Sequence, residues 1–178
     1  MTVKYIIGHW TAGGNTPSAF EKKHYQCLVD NTGRTFNGSP VGTVASTGGM
    51  NSITYNIAVC GGLASTPVTA EQMEAFCKKV AEKLRDYNLS VDKFYTHAEI
   101  GEMVRNYQNK IKKISLKNAD CKGKVITDLL PYNGYLYQNI GKVDLRKLPD
   151  SSKKTVNMTA YDSGNYLRGK IRWYLSKL

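Results

Sequence analysis

Residues 3–14, VKYIIGHWTAGG, constrain the fold more tightly than any other stretch of this chain. A β-branched and aromatic run of this kind reads as a strand, and alternation places Val3, Tyr5, Ile7 and His9 on one face. Gly13 and Gly14 then end it in a turn that small, permissive residues make easily. A histidine on the inward face at a strand's end is placed to be a metal ligand or a base. It is equally placed to be a core histidine with one hydrogen bond.

Further along, HYQCLVDNTGRTFNGS predicts a hairpin, with a strand over 25–30, a turn at 31–33 and a return at 34–36. The loop STGGMNS precedes a buried strand, ITYNIAVCGG. The strongest helix signal covers 70–87: Thr69 and Gln72 fit a capping box, and Met73, Phe76, Cys77, Val80, Ala81, Leu84 and Tyr87 form one apolar stripe. VDKFYTHAEIG reads as a short strand ending in His97. A helical pattern follows over EMVRNYQNKIKKISL, then an irregular stretch, so residues of about 102–139 read as an insertion. Leu167, Ile171, Tyr174 and Leu178 are spaced for a terminal helix over about 163–177. Strands alternating with helices predict an α/β fold, a mixed central β-sheet flanked by helices, with 1–178 as a single domain.

The 178 residues suffice for one domain with a real core. No apolar run approaches the roughly 20 residues needed to span a bilayer, so stable membrane insertion is not expected. The N-terminal MTVKYIIGHW lacks the basic, apolar and cleavage regions of a secretory signal. That predicts a protein made and kept in the cytoplasm unless something releases it. Cys27, Cys60, Cys77 and Cys121 lie far apart with no CxxC pairing and read as reduced thiols. Three fall in apolar patterns; Cys121, in NADCKGK, is expected at the surface. The net charge of +11 implies attraction to a polyanion: nucleic acid, a membrane surface or an anionic envelope. No aromatic-basic motif points to nucleic acid.

The chain holds three histidines, His9, His24 and His97. His9 and His97 each follow a short β-like run and precede a loop, which suits the rim of one sheet. Catalytic zinc takes three N, O or S donors and keeps one position open. From spacing alone, the third donor is open among His24, Cys121, Asp128 and Asp144.

Five blocks in order, IIGHWTAGG, HYQCLVDNTGRTFNG, TGGMNSITYNIAVCGG, FYTHAEIG and GKVDLRKLP, resemble the zinc-dependent N-acetylmuramoyl-L-alanine amidases. That family is shared by phage endolysins and peptidoglycan recognition proteins, and the endolysin branch is the more similar. The resemblance implies metal ligands at His9, His97 and Asp144, the last two residues after a lysine. It places the family's site lysine on Lys142 and its site tyrosine on Tyr25. Asp128 lies four residues after Lys124, which does not reproduce that spacing. His24 is expected to point away from Tyr25 if the strand is regular. Ser46 stands where many relatives carry a histidine that is not a ligand, and Glu99 reads as a supporting residue.

What the resemblance implies is a zinc hydrolase acting on bacterial peptidoglycan, at the amide joining N-acetylmuramic acid to L-alanine. Tyr25 would assist the attacking water and Lys142 would stabilise the developing negative oxygen. Trp10 would floor a groove between the TAGGNTP and STGGMNS loops. The expected protein is a compact monomeric endolysin that reaches the wall through a partner pore. A cytoplasmic muropeptide-recycling amidase and a non-catalytic peptidoglycan-binding module are the alternatives.

Overall fold

The computed structural model describes residues 2–178. At its centre is a five-stranded sheet in the order β3-β2-β4-β1-β5. β1 (Tyr5–Trp10) lies between β4 (Thr54–Val59) and β5 (Phe94–Thr96) and is parallel to both. β2 (Cys27–Val29) runs parallel to β4, and β3 (Thr35–Asn37) closes the edge antiparallel to β2. Helices cover both faces, so the sheet is mixed and flanked as the alternation of elements predicts.

All six residues of β1 are buried, which is why it reads as a nearly unbroken apolar run. Ile6 and Trp10 point to a core shared with α2 (Ala70–Asp86) and α4 (Ala160–Leu175). Tyr5 and Ile7 point to the other core, beneath α3 (His97–Ile111). Val3 departs from the expected alternation: regular pairing starts at Tyr5, and Val3 packs with the Ile6 face.

α2 carries the expected capping box at Thr69 and Gln72. Gln72 also donates from Nε2 to the carbonyls of Val29 (2.9 Å) and Cys60 (2.8 Å), tying the helix to the ends of β2 and β4. α4 begins before the expected 163. Thr159 caps it, and the Asp120 carboxylate accepts the amides of Ala160 (2.9 Å) and Tyr161 (3.0 Å). Thr159 and Asp162 are a local signal for that start, whereas the Asp120 contacts come from too far along the chain to leave one. A short helix, α1 (Ala19–Lys22), and a small hairpin of β6 (Lys147–Pro149) with β7 (Thr155–Asn157) complete the elements.

Residues 102–111 are the continuation of α3, with Met103, Val104 and Asn106 buried. The following loop folds back on that helix, where Asn106 Nδ2 donates to the carbonyls of Asp120 and Lys124, both at 3.0 Å. That fold-back corrects the expectation for Cys121. It is buried, at 3% exposure, with its thiol against the Glu99 carbonyl. Among the described residues all four cysteines are free and buried, and no helix is long and apolar enough to cross a membrane.

Candidate metal centre

Parallel pairing of β1 with β5 sets Gly8 opposite Thr96, so His9 and His97 follow side by side at the strands' C-terminal ends. Ends of this kind are where open α/β sheets gather ligands. His97 is not the last residue of the strand but the first of α3. A second capping box fixes that junction: Thr96 Oγ1 accepts the Glu99 amide (3.1 Å), and Glu99 accepts the Thr96 amide (2.9 Å). The Glu99 carboxylate is further gripped by Arg168 of α4, at 3.0 and 2.7 Å. Gly164 permits this grip, since a Cβ there would run into the carboxylate. Glu99 is thus committed to positioning the start of α3 and is absent from the cleft.

The third group arrives on the loop before β6. Leu145 takes a left-handed backbone (φ 64°) and sinks its side chain into the core against Gly8. A Cβ on Gly8 would sit 2.9 Å from Leu145 Cδ1, so the bare strand makes room for this anchor. Its neighbour Asp144 is thereby held over both rings. Asp144 Oδ2 lies 3.5 Å from His9 Nδ1 and 3.6 Å from His97 Nδ1. One ligand atom from each of the three residues lies within 4.8 Å of the others, and all three residues are buried.

The opposite edge of each ring is held in the same way. His9 Nε2 meets Asn56 Oδ1 at 2.9 Å, and His97 Nε2 meets Asn139 Oδ1 at 2.9 Å. The amide orientations are dictated by their other partners. Asn56 Nδ2 donates to Gln26 Oε1 (3.2 Å) and Thr54 Oγ1 (3.1 Å), and Asn139 Nδ2 donates to the carbonyls of Gly48 (2.9 Å) and Leu136 (2.8 Å). With each carboxamide oxygen facing a ring, each Nε2 carries the hydrogen and each Nδ1 presents a lone pair. Two nitrogen lone pairs and a carboxylate oxygen therefore converge with no proton between them. That arrangement is repulsive alone and fits a cation well. Edges of a tetrahedral zinc site with ligands near 2.1 Å are about 3.4 Å, close to the two measured spacings. Burial holds His9 below the ordinary imidazole range.

The other candidate donors are elsewhere. His24 bonds through Nδ1 to the Phe20 carbonyl (2.9 Å) and stacks on the Phe20 ring. It lines the same cleft as Tyr25, contrary to the expected alternation, because β2 starts only at Cys27. Asp128 accepts from the Tyr5 hydroxyl and lies near Lys93. Tyr25 stands over the cluster, its ring 5.2 Å from that of His9, and burial followed by the Asp144 charge pushes its phenol up. Lys142 is exposed at the rim.

Two adjoining compartments form the cleft. One, about 390 Å³, contains the cluster with Trp10 and Tyr25; the other, about 590 Å³, runs from His97 and Lys142 past Gly48 to Tyr135 and Gln138. Ser46 lines both, with its hydroxyl donating to the His24 carbonyl.

A family profile described as N-acetylmuramoyl-L-alanine amidase matches residues 1–117. The chain belongs to that family. No curated protein matches the sequence significantly. Among solved structures, the N-acetylmuramoyl-L-alanine amidase LysC from Clostridium intestinale URNW is 15% identical, over 65% of this chain and 88% of that one, with a TM-score of 0.49. PlyL is 18% identical over 56% and 70%, with a TM-score of 0.48. Drosophila peptidoglycan recognition protein SA is 20% identical over 53% and 65%, with a TM-score of 0.44.

Within this amidase-family chain, His9 and His97 fall inside the matched stretch, while Asn139, Lys142 and Asp144 lie beyond it. Sequence reasoning missed Asn56 and Asn139. A signal existed for Asn56, a carboxamide inside the otherwise apolar strand ITYNIAV, because buried polar groups need partners. Asn139 sits in an irregular stretch and had none.

Proposed function

We propose that this chain is a zinc-dependent N-acetylmuramoyl-L-alanine amidase that cuts the amide between the lactyl group of N-acetylmuramic acid and L-alanine in bacterial peptidoglycan. Family membership supports the activity. The observation that carries zinc dependence is the convergence of His9 Nδ1, His97 Nδ1 and an Asp144 oxygen within 4.8 Å, with both opposite ring nitrogens held by carboxamides. His9, His97 and Asp144 would hold the ion, two neutral donors and one anion being a common catalytic zinc set. When bound, zinc supplies Lewis acidity toward a carbonyl oxygen and toward water.

The chain's own residues supply the rest. Tyr25 stays protonated at neutral pH because burial and the Asp144 charge oppose its ionisation; its hydrogen points to the Trp10 carbonyl at 3.5 Å, which leaves the hydroxyl oxygen to accept from the attacking water and orient it. The Lys142 ammonium, at the junction of the two compartments, stabilises the negative charge that develops as the carbonyl carbon becomes tetrahedral. The larger compartment, with its glycine floor, the exposed Tyr135 ring and the Gln138 amide, receives substrate beyond the scissile bond. We read the biological role as that of an endolysin acting on the intact wall.

Metal analysis combined with mass spectrometry of digested peptidoglycan tests this reading. One zinc per chain and new L-alanine amino termini are expected; new reducing ends would point to a glycosidase. Asp144→Ala should abolish zinc uptake and turnover, and wild-type zinc content and rate in that variant would remove Asp144 from the site. Cleavage of soluble muropeptides but not intact sacculi would replace the endolysin role with recycling.

A further inference from the structure

The far end of α3 carries a feature that the hydrolase site does not use. Lys110, Lys112, Lys113 and Lys117 are all exposed, and among the described residues none forms an ion pair with a carboxylate. Between them stand Ile111 and Ile114, 59% and 51% exposed, and neither belongs to a hydrophobic core. The turn that presents them is ordered. Lys113 takes a left-handed backbone, its amide bonds to the Lys110 carbonyl at 3.1 Å, and the Ile114 amide bonds to the Asn109 carbonyl at 2.8 Å.

A helix C-terminus favours one cation nearby, which accounts for Lys110. It does not account for three lysines past the helix end or for two isoleucines held in water. Lysines flanking exposed aliphatic side chains are the composition of a surface that meets an anionic lipid interface, with charge on the headgroups and isoleucine at the acyl boundary. A nucleic acid or another soluble polyanion would reward the lysines but not the isoleucines, and the patch offers no aromatic ring on which a base stacks.

We infer that this basic and aliphatic turn at the end of α3 is a docking surface for an anionic phospholipid bilayer. Binding is peripheral and reversible. His97 opens the same helix, so its 15 residues separate the patch from the cleft by about 22 Å. A chain adsorbed through this end keeps the cleft free.

The test is sedimentation of the full chain with vesicles of phosphatidylcholine alone and with phosphatidylglycerol added, at low and at raised salt. Salt-sensitive binding to the anionic vesicles only is expected. Lys112→Gln with Lys113→Gln should weaken it about 30-fold. Ile111→Ser with Ile114→Ser should weaken it about tenfold while leaving binding to a short DNA duplex unchanged. Both variants should keep the wild-type melting curve and zinc content, since none of these side chains packs in the core or approaches the metal centre. Absence of binding to anionic vesicles would overturn the inference. So would isoleucine variants that bind vesicles like the wild type while the lysine variants lose vesicles and DNA alike, for the surface would then be a general polyanion site.

Discussion

Replacing Asn139 separates the geometry of the metal centre from the stability of its surroundings. The side chain does two jobs: its oxygen accepts from His97 Nε2 at 2.9 Å, and its nitrogen donates to the carbonyls of Gly48 and Leu136 at 2.9 and 2.8 Å. Asn139→Ala removes all three contacts. Gly48 lines the cleft and regains a partner from water, whereas His97 is buried. Stranding His97 Nε2 and the Leu136 carbonyl at roughly 1–3 kcal/mol each predicts a loss of about 2–6 kcal/mol in the metal-free protein. With the ring freed to turn or to change tautomer, zinc affinity should fall about 10- to 100-fold, the usual cost of losing such a partner. Asn139→Asp behaves differently. Its carboxylate still accepts from His97 but donates nothing to Gly48 or Leu136, so stability drops while zinc affinity is kept. Urea unfolding of the metal-free variants and zinc competition against a chromophoric chelator measure the two quantities. Equal loss of zinc affinity in both variants, or none in either, would refute the claim that Asn139 acts by holding the Nε2 hydrogen.

Glu99→Ala leaves the Arg168 guanidinium buried without its carboxylate and should cost about 3–5 kcal/mol by urea unfolding; a cost below about 1 kcal/mol would show a solvated pair. Acidification should destabilise the metal-free protein as pH falls below 6.5. Burial lowers the folded pKa of His9, so the unfolded chain takes up a proton that the folded one refuses. The contribution is full above 6.5 and fades at up to about 1.4 kcal/mol per pH unit toward the folded pKa, which unfolding curves at stepped pH will follow. Burial pushes the thiols of Cys27 and Cys60 up to about 11 and about 12, so at pH 8 a thiol reagent should leave all four cysteines unmodified until urea is added.

Much of the frame was legible because its signals are short-range. The stripe from Met73 to Leu84 and the box at Thr69 and Gln72 are local patterns, and α2 follows them closely. The capping box at Thr96 and Glu99 was equally local, yet His97 read as the end of a strand because helix starts and strand ends share the same few residues. The expected exposure of Cys121 failed for a different reason. Polar neighbours described its sequence surroundings, whereas the fold-back against Asn106 and Glu99 set its real ones.

The sequence by itself determined the order of strands and helices and which donors were available to a metal. Only the tertiary structure decided which donors meet and which ring edge they present. Parallel pairing of β1 with β5 set His9 beside His97, and Leu145 wedged against Gly8 brought Asp144 over both. Asn56 and Asn139, 47 and 42 positions from the histidines they hold, then turned each Nδ1 inward. Periodicity and caps are written within one or two turns of chain, but a hydrogen bond between residues so far apart exists only once strand register and loop closure have brought them together.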